Sequence, residues 1–112
     1  MVILHQKKGY YAEKSFINAL LNRNHQVLHH RYQSSYGEID IISKKERCIY
    51  FFEIKYRSKK PEQLSTVIKY QQIQRIYQSA EKFIACNYNN IIYQYKLFLS
   101  IITPKQVSLI PL

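Results

Sequence analysis

A stretch too apolar for a surface and too charged for a core sits in the middle of this chain. Residues 48–56 read Cys-Ile-Tyr-Phe-Phe-Glu-Ile-Lys-Tyr, and the aromatic run Tyr50-Phe51-Phe52 fits a central strand of a sheet. The strand then continues straight into Glu53-Ile54-Lys55. Charges on a central strand need a structural or chemical reason. Side chains alternate along a strand, so Glu53 and Lys55 share a face. The fold must bury a sheet around this segment and still give its far half a polar outlet.

The flanking pattern supplies the rest of that sheet. Ala12, Phe16, Ala19 and Leu20 form a helical stripe that predicts a helix over 8–23, with Glu13, Lys14, Asn18 and Asn22 off the stripe. Asn24 tolerates the left-handed conformation that ends helices. Residues 26–33 predict a strand containing Val27, Leu28 and Tyr32, and Ser34-Ser35-Tyr36-Gly37 predicts a turn. Strands over 38–43 and 48–56 flank Lys44-Lys45-Glu46-Arg47, read as a four-residue hairpin loop. That register sets Asp40 opposite Phe51 and Glu38 opposite Glu53. Asp40 and Glu53 are then diagonal neighbours on one face, about 7–8 Å apart. Ile39, Ile41, Tyr50, Phe52 and Ile54 fall on the other face, as core.

Residues from Arg57 to about Ser65, with Pro61 among them, read as a loop. A second helix over about 66–85 buries Ile68, Ile73, Ile76, Tyr77, Ala80, Phe83 and Ile84. Residues 87–90 end it, and a fourth strand over 91–102 exits at Pro104. The expectation is one α/β domain over residues 1–112, a sheet flanked by helices in the order α-β-β-β-α-β.

Charge narrows the partners. The chain has 17 Lys+Arg against 7 Asp+Glu, a net charge of +10, which favours an anionic partner. Nucleic acid leads, with a membrane surface or an acidic protein behind it. Val2-Ile3-Leu4 is too short for a secretory apolar region, and Ile49 to Phe52 is strand-length, so nothing points to a membrane. Cys48 and Cys86 fit a reducing cytoplasm, and without a CxxC they exclude a zinc knuckle. His29 and His30 are adjacent on a strand and point to opposite faces, while His5 and His25 lack a partner at ligand spacing. The exposed rings among Tyr10, Tyr11, Tyr36 and Tyr56 can stack on bases or pack at a rim.

Carboxylates are scarce, and three of the 7, Glu38, Asp40 and Glu53, fall in the two segments just described. Phosphodiester hydrolysis needs a nucleophilic water and cover for charge on the phosphate. Asp40 and Glu53 offer hard oxygen ligands for Mg²⁺ or Mn²⁺, with the Ile54 carbonyl as a third. Lys55 would orient or help deprotonate the water. Glu13 could supply a further carboxylate. Lys7 and Lys8 before the first helix, and Arg57, Lys59 and Lys60 after the charged strand, are candidates for flanking phosphates. Such contacts carry affinity rather than sequence information, so binding should be structure-selective.

Ala12-Glu13, Tyr36-Gly37-Glu38-Ile39-Asp40 and Phe52-Glu53-Ile54-Lys55-Tyr56-Arg57-Ser58 together resemble the YraN family of small bacterial proteins. That family is similar to restriction-endonuclease-like nucleases with the PD-(D/E)xK pattern and to archaeal Holliday junction resolvases. The resemblance covers residues 7–84 and implies a restriction-endonuclease-like mixed sheet flanked by helices. It points to Glu13, Asp40, Glu53 and Lys55 as the nuclease-like set, with Glu38 in the same signature. Family members carry a basic residue early in the second helix where Gln71-Gln72 stands here. Gln72 remains able to assist phosphate or water. Tyr95-Lys96-Leu97-Phe98 also lacks the acid of an Arg-Phe-Asp-like run common in the last strand.

The resulting expectation is a Mg²⁺- or Mn²⁺-dependent endonuclease acting on branched or processed DNA. The alternative is a nucleic-acid-binding protein that keeps the fold without significant catalysis, and an adaptor for an acidic protein stands behind both. Symmetric cutting of two strands calls for a two-fold homodimer. Its contact would be the exposed part of the last strand or the helix-2 face bearing Gln74 and Gln78.

Overall fold

The computed structural model describes residues 4–88 and 94–112, with side chains from Gly9 onward. The aromatic strand is central. Strand β3 (Cys48–Tyr56) lies between β2 (Gly37–Lys45) and β4 (Gln94–Ile102) in a five-stranded sheet ordered β1-β2-β3-β4-β5. Strand β1 (Gln26–Ser34) and strand β5 (Val107–Pro111) are the edges, α1 (Leu4–Asn22) precedes β1, and α2 (Tyr70–Asn87) crosses over between β3 and β4. That crossover makes the β3–β4 pair parallel while all other neighbours are antiparallel. The sheet is therefore mixed. Among the described residues, no helix is long and apolar enough to cross a membrane.

Both helices form where their apolar spacing predicts. Ala12, Phe16 and Leu20 recur every four residues and are the buried stripe of α1. Asn24, at φ 66, takes the left-handed conformation after the helix, and its N–H donates to Leu21 C=O at 3.1 Å. Helix α2 buries Ile76, Ala80 and Phe83. It starts at Tyr70 rather than near 66, because residues 64–66 form a separate 3-10 turn. The part of the fourth strand expected over 91–93 lies outside the described residues.

Two corrections concern strands. Val107–Pro111, for which the sequence predicts no element beyond Pro104, returns as β5 and pairs antiparallel with β4. The β2–β3 connection is a two-residue turn, since Lys45 pairs with Cys48 across Glu46-Arg47. Glu46 takes φ 56, as tight hairpin turns require. The register therefore moves by two residues, setting Ile41 opposite Phe52. An even shift conserves side-chain parity along the paired stretch from Ile41 to Lys45. The ladder ends at Ile41–Phe52, so Asp40 and Glu53 lie just beyond its last pair.

The expectation of a single core face is corrected as well. Helix α1 packs Phe16 and Leu20 on Ile41, Phe52 and Ile54, while α2 packs Ile76, Ala80 and Phe83 on Ile42, Ile49, Phe51, Leu97 and Leu99. Ile39 joins the α2-side core although Ile41 lies in the α1-side core. Residues two apart on a regular strand share a face, so the alternation slips at Asp40. On β1 the residue between the His30–Ile41 and Tyr32–Ile39 pairs is Arg31, which has φ 60. A β-bulge between Val27 and His29 precedes it. The irregular stretch of β1 thus abuts the slip in β2.

Candidate active site

The slip opens the sheet. Pairing of β2 with β3 runs from Lys45–Cys48 to Ile41–Phe52 and stops there. Beyond it β2 stays paired to β1 as far as Gly37, and β3 stays paired to β4 as far as Tyr56. In place of a backbone acceptor, Asp40 Oδ2 accepts the Ile54 N–H at 2.7 Å. The N–H and C=O of an extended residue point the same way along the sheet, so the Ile54 carbonyl also faces the gap. Helix α2 lies over it. The result is a cleft of ≈ 230 Å³ lined by Tyr36, Gly37, Glu38, Asp40, Glu53, Gln72 and Arg75.

Glu53 stands on the α2 side of β3 and is only 7 % exposed. Its Oε1 accepts a hydrogen bond from Gln72 Nε2 at 3.2 Å and faces Lys55 Nζ at 3.2 Å. Burial pushes its carboxyl up to about 7; the charge of Asp40 adds to the rise and Lys55 opposes it. Burial likewise raises Asp40 to about 6, opposed by the Ile54 N–H bond and reinforced by the charges of Glu13 and Glu38. Two carboxylates crowded in a poorly solvated cleft are costly to ionise together, and a shared cation relieves that cost.

The donor chemistry fits a hard divalent cation: two carboxylates and a backbone carbonyl are all oxygen ligands. Among the described residues, no cluster of three or more His, Cys, Asp or Glu side chains is arranged to hold a metal. Water and phosphate oxygens would complete the shell of such an ion, as magnesium sites commonly require.

The remaining candidates divide. Glu13 is held on the α1 side by Arg31 Nη2 at 3.1 Å and His30 Nε2 at 3.4 Å. It acts on Asp40 through its charge rather than by lining the cleft. Arg57 folds back, its Nη1 donating to Tyr56 C=O at 2.8 Å. Lys59 and Lys60 are exposed on the loop after β3. Lys7 and Lys8 belong to the backbone of α1, but their side chains lie outside the described residues, as does that of His5. His25 bonds Ser43 Oγ at 2.9 Å, and burial lowers its pKa with Lys45 and Arg23 adding to the effect. His29 packs on Phe83 while His30 meets Glu13, on opposite faces of β1 as adjacency requires.

Arg75 is the cleft residue that sequence reasoning passed over. It follows Gln72 by three positions, so both fall on one helix face, and that spacing was the available signal. A second depression, an apolar groove of ≈ 420 Å³, lies on the other face of the sheet between α1 and strands β3, β4 and β5. Its lining contains no carboxylate, so it offers no anionic oxygen ligand to a cation.

Comparison with known proteins gives a consistent kinship. The model of a family described as Uncharacterised protein family UPF0102 matches residues 12–103. A UPF0102 protein of Rhodopseudomonas palustris (strain BisB5) is 28% identical over 99 residues, covering 88% of this chain and 75% of the relative. One from Nitrobacter winogradskyi is 25% identical over 99 residues, covering 88% and 83%. One from Clostridioides difficile (strain 630) is 43% identical over 53 residues, covering 47% and 46%.

Proposed function

This chain belongs to the uncharacterised protein family UPF0102, the YraN family, and from that premise, which fixes kinship but no chemistry, we propose that it is a Mg²⁺- or Mn²⁺-dependent nuclease hydrolysing DNA phosphodiester bonds. Branched or otherwise processed DNA is the favoured substrate, by analogy of fold with junction resolvases. The observation that carries the reading is the pair Asp40 and Glu53, the first half-buried and the second buried, set together where β2 leaves β3, with Lys55 Nζ 3.2 Å from Glu53.

Asp40, Glu53 and the Ile54 carbonyl would hold the cation, which when bound activates water and offsets charge on the scissile phosphate. The chain's own groups do the rest. Gln72 fixes the Glu53 carboxylate from α2. Lys55, 25 % exposed, reaches the same carboxylate and would orient the attacking water or, once it has itself lost a proton, help deprotonate it, and would steady the phosphate. Arg75 opposes the two acids across the cleft and can meet a non-bridging phosphate oxygen. Arg57, Lys59 and Lys60 leave the sheet at the same end and would contact flanking phosphates. In the hydrolysis, water adds to phosphorus, the P–O bond to the leaving sugar breaks, and that oxygen takes up a proton.

The test is cleavage of labelled single-stranded, duplex and four-way-junction DNA with Mg²⁺, Mn²⁺ or EDTA. Wild type should cut with metal only, and Asp40→Ala and Lys55→Ala should each lose roughly 10²–10⁴-fold in rate. Binding shared by all three proteins without any cutting would instead select the non-catalytic nucleic-acid binder.

Metal binding should also depend on pH in a defined direction. Both carboxyls are raised, so at about pH 5 they are largely protonated and at about pH 8 ionised. Millimolar Mn²⁺ should therefore raise the melting temperature clearly at about pH 8 and little at about pH 5, measured by scanning fluorimetry. An equal shift at both values would remove Asp40 and Glu53 as ligands.

A further inference from the structure

The outer edge of β5 is open and, unlike the opposite edge of the sheet, undefended. Among the described residues, strand β5 pairs with β4 alone. Leu112 N–H donates to Leu97 C=O at 3.0 Å and Thr103 N–H to Gln106 C=O at 2.9 Å, bracketing the pairs Leu99–Ile110 and Ile101–Ser108. Bonded and non-bonded pairs alternate along an antiparallel ladder. Ser108 and Ile110 therefore bond inward, and Val107, Leu109 and Pro111 turn their backbone groups outward. Proline carries no N–H, which leaves Val107 and Leu109 as the outward donors.

The side chains of the same residues are apolar and in water. Val107 is 54% exposed and Leu109 52%, and both border the groove beneath α1 together with Phe98 and Ile102. Edges are normally blunted by charge, bulges or cover. Strand β1 shows such defences, with its bulge, the left-handed Arg31 and the exposed His29 and His30. Residues 106–112, Gln-Val-Ser-Leu-Ile-Pro-Leu, carry no charge in a chain of net charge +10. Two such chains can approach here without placing like charges on the contacting strands.

We propose that β5 pairs antiparallel with β5 of a second copy of this chain, joining the two sheets across a two-fold axis at Leu109. Full overlap of the strands fixes the register. Leu109 exchanges both backbone bonds with the partner's Leu109, and Val107 N–H of each copy donates to the Pro111 carbonyl of the other. Every outward donor of β5 then has an acceptor, and the proline's missing N–H falls at the end of the ladder. Because the axis is perpendicular to the sheet, the two α1 faces lie on the same side. The exposed Val107 and Leu109 side chains cover one another there, and the two apolar grooves merge. Strand pairing alone buries less than a standard interface, and these apolar surfaces supply the remainder. The two candidate clefts fall together on the other face, at opposite ends of the joined sheet.

The inference goes beyond the nuclease reading and is tested without cleavage. In sedimentation equilibrium the full chain should weigh twice its 13.5 kDa. Leu109→Lys and Leu109→Glu each set like charges face to face on the axis, at a half-exposed position the fold tolerates, and each should sediment as a monomer. An equimolar mixture of the two should regain the dimer, since lysine then faces glutamate. A monomeric wild type, a variant that still dimerises alone, or a mixture that stays monomeric would each overturn the proposal.

Discussion

Glu53→Gln should raise the melting temperature of the metal-free protein at about pH 8 and abolish its metal-dependent cleavage. The carboxyl titrates at about 7 in the fold, above its ordinary 4.5. A raised carboxyl means the folded state binds the proton more tightly than the unfolded chain. The ionised group is therefore no burden below the unfolded value, and it destabilises progressively as pH rises through the folded one. The attraction of Lys55 is already contained in that balance, because Lys55 lowers the value and burial still prevails. Glutamine mimics the protonated form in shape and charge and keeps an oxygen for Gln72.

The gain at about pH 8 is on the order of 1–3 kcal/mol, since one unit corresponds to about 1.4 kcal/mol and Asp40 shares the shift. For a domain of this size that is roughly 5–15 °C. At about pH 5, close to the unfolded value of 4.5, the gain should fall to a small part of that. Thermal scans of both proteins at the two values, beside a cleavage assay, check all three outcomes. A fall in stability at about pH 8 would show that the Lys55 pair outweighs the burial of Glu53.

Phe83→Ala should remove about 3–5 kcal/mol, enough to unfold much of the population at growth temperature. Phe83 is 2% exposed, and its ring meets those of His29, Tyr32 and Phe51 edge-on at 5.5, 5.3 and 5.8 Å. Three strand-borne rings around one helical ring cannot collapse into the void together, so the cavity persists. The same side chain holds α2 down on the sheet, and α2 carries Gln72 and Arg75. Urea unfolding should show the midpoint falling steeply with the slope preserved. A loss below about 1 kcal/mol would mean that the cavity refills.

Periodicity made most of this fold legible in the sequence. The stripe Ala12–Phe16–Leu20 and the run Ile76–Ala80–Phe83 mark their buried faces directly, and Tyr50-Phe51-Phe52 marks the central strand. Asp40 and Glu53 come together by a route other than the expected ladder: β2 leaves β3 after Ile41–Phe52, and the Asp40 carboxylate turns to the Ile54 N–H. Strand β5 was hidden for a physical reason: five residues ending in a proline, exposed on alternate positions, pattern like a tail. The second core face was missed because Glu53 shares it with Phe51, and a charge at one end masks the burial of its neighbour. The slip at Asp40 has no local signature at all. It lies beside the left-handed Arg31 and the bulge after Val27, on a different strand.

That slip gives the sheet a seam. Gly37 to Asp40 share no ladder with Glu53 to Tyr56, and the tip of the β1–β2 hairpin is fastened instead by Ser34 Oγ to Ser79 Oγ at 2.7 Å and Lys82 Nζ to Ser35 Oγ at 3.1 Å. Spreading the cleft therefore ruptures no backbone-to-backbone ladder bond between β2 and β3. It detaches one carboxylate from one amide and loosens two side-chain ties. Local opening in proteins follows such low-energy boundaries. The molecule can breathe at the cleft itself, while the nine-residue parallel pairing of β3 with β4 keeps Glu53, Ile54 and Lys55 still.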